Sequence, residues 1–325
     1  MARKAPKVSV IMPVLNEEEH LEAAVNSVLA QNFDGELLIA LGPSTDGTDA
    51  VAKRLANSDE RIRLVPNPRS LTTVAMNTCI ALAKHDYIVR IDAHSEPGEG
   101  YIARSIEILE ETGADLVGGV MAAKGKTLFQ RSVAWAYTSR FGLGGASYHV
   151  GGEAGEAESA YLGVFRKSAL ERVGGYDESI IRGEDWDLAQ RIKSTGGLVW
   201  FSPELQVTYW PRSSWRSLVK QFYSTGAWRG DLTKRDLGRT SLRYFIPPAL
   251  VIALVLGNLL CVFGVTIGWL PLLGYLAAVV LVGFIAKLPP VPLVLATMHL
   301  SWGVGFIVGY IGGAAGTLDR SRVTK

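Results

Sequence analysis

From Phe245 to Ile311 the only formally charged residue is Lys287. A stretch that long and that apolar must be buried on every side, either by several layers of protein or by lipid. Three segments within it have the composition of membrane spans: Ile246–Val265, Leu270–Ala286 and Val291–Ile311. The first meets the requirement of about twenty residues for a hydrocarbon layer of roughly 30 Å, and the second is a shorter candidate. The rest of the chain is different. Up to Arg243, short apolar runs alternate with charge, so the 48% hydrophobic content and the mean hydropathy of +0.18 average two unlike parts of a 325-residue chain.

The junction between the parts is basic and aromatic. Trp215, Leu218, Val219, Phe222 and Tyr223 recur at helical spacing among Arg216, Lys220, Arg229, Lys234, Arg235 and Arg239, the pattern of a helix lying in a membrane interface beside anionic headgroups. Basic residues before the first span place the preceding domain in the cytosol. Three complete crossings would put Arg320, Arg322 and Lys325 on the far side. The tail is then an exception to that rule, or one apolar segment is re-entrant. Cys79 and Cys261 form no disulfide or zinc pattern, which suits a reducing compartment. Val8–Leu15 leads into Asn16-Glu17-Glu18-Glu19 without a small-residue cleavage site and reads as a strand rather than a signal peptide. A net charge of +2 and the lack of an aromatic-basic platform give no reason to expect nucleic acid.

Before the junction, β-branched runs alternate with amphipathic ones: Val8–Met12 then Leu21–Leu29, Leu37–Leu41 then Asp49–Leu55, Ile62–Val65 then Val74–Ala83, and Tyr87–Ile91 then Tyr101–Leu109. This is the signature of an α/β fold, a mostly parallel sheet with helices on both faces, whose ligands lie beyond the carboxyl ends of the strands. Pro13-Asn16-Glu17, Gly42–Asp46 and Asp92-Ala93-His94 all fall there. Further strands are expected at Leu116–Met121, Leu162–Phe165 and Leu198–Phe201, helices at Ala169–Val173 and Glu184–Ser194, and a loop at Gly142–Gly155. The expected divisions are a catalytic domain over 1–211, interface helices over 212–244, a transmembrane region over 245–315 and a basic tail over 316–325.

Two acidic groups stand out. Asp92 and His94 end a strand, where a solvated pair is the plain reading and a cation site the alternative. Glu184 and Asp185 open a helix after Gly183, where the helix dipole favours carboxylates whatever their role. Asp187 fits surface charge. His299, near Trp302 in the last apolar segment, reads as a hydrogen-bonded packing histidine, with a lipid-phosphate path as the alternative.

Val10-Ile11-Met12-Pro13-Val14-Leu15-Asn16-Glu17, Ser44-Thr45-Asp46-Gly47-Thr48, Asp92-Ala93-His94 and Gly183-Glu184-Asp185, in that order, resemble the motifs of family 2 glycosyltransferases with the GT-A fold. Arg90-Ile91-Asp92-Ala93-His94, Tyr161–Arg166, Gly174-Gly175-Tyr176-Asp177-Glu178 and Gln221-Phe222-Tyr223 through Trp228-Arg229 resemble, more narrowly, the ExoA-like branch of succinoglycan biosynthesis. The resemblance covers about residues 7 to 235.

It implies a nucleotide-sugar site with Pro13, Asn16, Glu17, Asp46, Arg69 and Asp92. Arg69 reads equally as a surface arginine at a helix entry. Asp92 and His94 would hold Mn2+ or Mg2+ against the donor diphosphate. His94 departs from the acidic family pattern but agrees with the branch, and imidazole can ligate Mn2+. Asp185 would be the catalytic base, with Glu184 supporting it or the acceptor; one base without a second nucleophile implies inversion. Arg212, Gln221, Trp228 and Arg229 would close on the diphosphate or acceptor, and either arginine could instead meet lipid headgroups. The chain departs from many members at Leu41-Gly42-Pro43, where an acid contacts uracil. The implied activity is transfer of a hexose to a polyprenyl-linked or other lipid-linked acceptor at the cytosolic face of the cell's inner membrane, in polysaccharide or glycolipid assembly. The alternatives are a polyprenyl-phosphate sugar synthase and a non-catalytic membrane scaffold on the same fold.

Overall fold

The computed structural model describes residues 5–143 and 145–314. The basic tail lies outside the described residues. The described residues form two units, one built from 5–122 together with 146–209, the other from 123–143, 145 and 210–314.

In the first unit the strand and helix alternation appears nearly as the periodicity places it: β1 (Lys7–Val14), α1 (Leu21–Leu29), β2 (Asp34–Leu41), α2 (Thr48–Ser58), β3 (Ile62–Pro66), α3 (Thr72–Leu82), β4 (Tyr87–Arg90), β5 (Ser95–Pro97), α4 (Tyr101–Thr112) and β6 (Leu116–Ala123). The chain then leaves for α5 (Leu128–Tyr137) in the second unit and returns through a short turn, α6 (Ser147–Val150). It continues as β7 (Gly155–Glu156), β8 (Tyr161–Arg166), α7 (Lys167–Val173), α8 (Glu184–Ser194) and β9 (Val199–Tyr209).

The sheet order is β3-β2-β1-β4-β8-β6-β9-β5, with β7 on β9. β3, β2, β1 and β4 are parallel neighbours, and β8 joins β4 antiparallel. Both faces are covered, because successive strand residues point to opposite sides. Val10, Met12, Leu37, Ile39 and Val89 pack against α1, α2 and α4. Ile11, Leu38, Ala40 and Ile88 pack against α3, α7 and α8. With helices on both sides, the carboxyl ends of β1, β2 and β4 are left as one open rim.

In the second unit, α5 begins with a capping box: Thr127 Oγ1 accepts from the Gln130 amide, and Gln130 Oε1 accepts from the Thr127 amide. Gln130 Nε2 also donates to Pro211 O at 3.1 Å. α9 (Trp215–Arg235) covers the expected basic amphipathic segment. Tyr137 of α5 donates to Gln221 at 3.1 Å and meets Phe222 edge-on. After a 3-10 turn at Leu242–Phe245 come α10 (Ile246–Val262), α11 (Leu270–Ala286) and α12 (Val291–Gly312). Helical segments Leu242–Val262, Thr266–Ala286 and Val291–Gly312 are each long and apolar enough to cross a membrane, with hydropathies of 2.4, 2.2 and 1.7.

Half of α9 is held by α12 rather than left as a free amphipathic face. A Cβ on Gly230 would come within 2.1 Å of Phe306 O, and one on Gly309 within 1.9 Å of Ala227 O. The two backbones therefore touch along their length, as small residues permit between helices in lipid. His299 bonds Tyr275 through Nδ1 (3.0 Å) and Phe141 O through Nε2 (2.7 Å). It is a packing histidine that joins α11, α12 and the loop after α5.

Candidate active site

The rim is assembled from loops that hold one another. Asn16 has a left-handed backbone, φ 54°. Its side-chain oxygen accepts from the Thr45 amide at 2.7 Å, and its own amide donates to Ser44 Oγ at 3.1 Å. The Glu17 amide donates to Thr48 Oγ1 at 2.8 Å. Asp46 accepts from the Thr48 amide at 3.1 Å and from the Glu18 amide at 3.4 Å. Burial works to raise the Asp46 pKa, but a hydrogen bond from the Thr48 hydroxyl, together with these amide bonds, outweighs it and holds the carboxyl below its usual value. Asn16 and Asp46 thus join the loops after β1 and β2. Pro13 stands beside Ala40 in the register of those two strands.

The Glu17 side chain is buried, and its Oε1 lies 3.0 Å from His94 Nδ1. A buried carboxylate beside one ring nitrogen fixes the orientation of the imidazole, as carboxylates do for metal-binding histidines. Tyr209 packs edge-on against the His94 ring. Among the described residues no three His, Cys, Asp or Glu side chains gather to hold a cation without help.

At the end of β4 the chemistry concentrates on Arg90, a residue to which sequence reasoning gave no role. It is 3% exposed. Its Nε bonds Asp92 Oδ1 at 3.1 Å, Nη2 bonds Glu184 Oε1 at 3.3 Å, and Nη1 bonds Asp185 Oδ1. The guanidinium also lies over the Tyr176 ring, 5.8 Å from its centroid. Burial works against its charge; Asp185, Asp92 and Glu184 override that and keep it protonated.

Asp185 retains 33% of its side-chain surface open. Burial raises its pKa most, Arg90 pulls it down, and the Glu184 and Asp92 charges push it up; the net direction is upward, to about 7. A carboxyl so tuned, open to solvent and fixed by one oxygen, has the properties of a general base.

Asp92, Glu184 and Asp185 are therefore brought together, and Glu17 with His94 forms an adjoining pair on the same rim. Arg69 is tied elsewhere, to Glu178 at 2.5 Å. Asp187 pairs with Arg191 on its own helix at 2.7 Å. Arg212, Gln221, Trp228 and Arg229 belong to the second unit. There Trp228 is buried, Gln221 accepts from Tyr137, and Arg229 lies 4.3 Å from the Tyr244 ring centroid.

The family model described as glycosyl transferase family 2 matches residues 9–174. The chain is 32% identical over 311 residues to the succinoglycan biosynthesis protein ExoA of Rhizobium meliloti (strain 1021), covering 91% of this chain and 93% of that one. It is 25% identical over 239 residues to a dolichyl N-acetyl-alpha-D-glucosaminyl phosphate 3-beta-D-2,3-diacetamido-2,3-dideoxy-beta-D-glucuronosyltransferase of Methanococcus voltae, covering 70% and 74%. Among solved structures, the mannosyltransferase PcManGT of Pyrobaculum calidifontis, in complex with GDP-Man and Mn2+, superposes with a TM-score of 0.64 at 17% identity, over 94% of this chain and 87% of that one. That likeness shows the shared GT-A architecture. With the family model matched from β1 to the end of α7, and a relative aligned over nearly the whole of both chains, this protein belongs to glycosyl transferase family 2.

Proposed function

We propose that the chain is an inverting hexosyltransferase that uses a nucleotide-sugar donor and a lipid-linked acceptor at the cytosolic face of a membrane, in assembly of a polysaccharide or glycolipid. The observation that carries this reading is the partly open Asp185, held in one ion network with Asp92 at the rim. Asp185 takes the proton from an acceptor hydroxyl as that oxygen attacks the anomeric carbon. The new glycosidic bond forms as the bond from that carbon to the diphosphate oxygen breaks, and the nucleoside diphosphate leaves with the bonding pair. A single base with no protein nucleophile inverts the anomeric centre.

Asp92 meets the nucleotide, and Asp92 with His94 would hold a divalent cation, Mn2+ or Mg2+. The donor set fits: a carboxylate, an imidazole oriented by Glu17, and diphosphate oxygens to complete the shell. When bound, the cation neutralises the departing diphosphate charge. The names of the ExoA and dolichyl-linked relatives support the setting and the acceptor class, and the basic residues before the first span support the orientation.

The test is nucleotide release from UDP-, GDP- and dTDP-hexoses by the full chain in membranes, with lipid extract and Mn2+ or Mg2+, and with EDTA as control. Release with one donor that requires both lipid and metal is expected. Nucleotide binding with no release under any of these conditions would contradict the transferase reading and favour a scaffold.

A further inference from the structure

The Gly174-Gly175-Tyr176-Asp177-Glu178 motif and Arg90 carry no step of the transfer proposed above, yet they are built onto each other. Gly174 and Gly175 both have left-handed backbones, φ 75° and 72°. A Cβ on Gly175 would stand 2.5 Å from Asn77 Oδ1. The turn brings Tyr176 onto α3, where Asn77 Nδ2 donates to Tyr176 O and the Tyr176 amide donates to Asn77 Oδ1, both at 2.8 Å. Two hydrogen bonds on one buried backbone residue fix the ring beneath the guanidinium. Arg90, held from below and nearly closed to water, cannot satisfy its charge through solvent.

Its three bonded nitrogens go to carboxylates of different roles: Nε to Asp92 on the donor side, Nη1 and Nη2 to Asp185 and Glu184 on the base side. The guanidinium is planar and rigid, so a shift at one edge is transmitted to the other. In a poorly hydrated setting, one cation shared among three anions is also a divided resource: what Asp92 gives up, Asp185 and Glu184 gain.

We infer that Arg90 is a positioning residue that couples donor engagement at Asp92 to placement of the base Asp185, so that the two sites bind and work as one. This rests on the family 2 reading of Asp92 and Asp185. Lysine cannot substitute, because an ammonium on a flexible stem cannot hold the donor carboxylate and the base pair in fixed relation. Coupling between sites is reciprocal in binding free energy, so it can be read without turnover.

The experiment measures affinity of the full chain in nanodiscs for UDP, GDP and dTDP with Mn2+, in wild type, Asp185→Asn, Arg90→Lys and the double variant. The nucleotide that wild type binds best is carried through the cycle. Thermal midpoints monitor folding, and kcat and donor KM are determined for the Arg90→Lys variant. Expected is a fivefold or larger change in affinity on Asp185→Asn in wild type and less than twofold in the Arg90→Lys background. Arg90→Lys itself is expected to lose about a hundredfold in kcat with donor KM within a few-fold and a near-native midpoint. An equal effect of Asp185→Asn in both backgrounds, or full kcat in Arg90→Lys, would overturn the coupling while leaving the transferase reading intact. If Arg90→Lys does not fold, the Asp185→Asn effect in wild type decides: a change under twofold overturns the inference, and one of fivefold or more upholds it. Failure of wild type to bind any of the three nucleotides would overturn the functional reading and this inference together.

Discussion

Asp185 is the residue on which pH should act. As the proposed base its carboxyl must be ionised to take a proton, and its surroundings raise it to about 7 rather than the usual aspartate range. The ionised fraction therefore grows with pH through neutrality, and lipid-dependent nucleotide release should fall about tenfold per pH unit below that limb. A pH-rate profile checks this; an acid limb near 4 would show that Asp185 is not perturbed or not the base. Asp92, Glu184 and Asp185 were legible in the sequence because each sits in a short ordered motif. The role of Arg90 was not, since it depends on a partner 95 residues away. Asn77 and Tyr176, separated by 99, were hidden for the same reason. The signal that could have raised Arg90 is a charged residue closing an otherwise apolar inner strand, a costly placement unless paired. Arg69 and Asp46 drew attention by motif position; in the structure Arg69 pairs with Glu178 and Asp46 ties the loop after β2 to Glu18.

At the scale of elements, the apolar periods found every helix over 8 residues in the first unit, but α5 in the second went unseen. Its capping box, Thr127 with Gln130, was the available signal, as its helix carries buried polar residues that dilute the apolar stripe. Thr127→Ala should destabilise by about 1 kcal/mol in thermal unfolding. β9 was expected only as far as Phe201. Pro203 and Glu204 interrupt the apolar run, yet Leu205, Val207 and Tyr209 continue inward on alternate residues. For α9, the helical face was readable but its partner was not, because glycines carry no hydrophobic signal. Gly309→Val should force α9 and α12 apart and cost about 2–3 kcal/mol, seen as a lower thermal midpoint in detergent. An unchanged midpoint would mean that the helices do not approach through these residues.

For the whole molecule, the change of composition near Arg243 set off the apolar helices, but the sheet-based unit ends earlier, at Tyr209, and α9 belongs with the helical unit. The transfer of residues 123–145 to the helical unit was not legible, because it depends on contacts of α5 with α9. If the apolar helices anchor the chain, a 1 M salt wash should leave it in the membrane fraction, since salt at that strength screens charge beyond about 3 Å but not hydrophobic burial. Release by salt would mean that the basic helix alone holds it. The most direct test of the functional account compares wild type with Asp185→Asn, in the same membranes, for nucleotide release from the preferred donor and for binding of that nucleotide. The expected result is loss of lipid-dependent release while the nucleotide still binds, with its affinity changed by the fivefold or more that the Arg90 coupling requires; release at the wild-type rate by Asp185→Asn would contradict the assignment of the base and direct attention to an acceptor, such as a phosphate, that needs none.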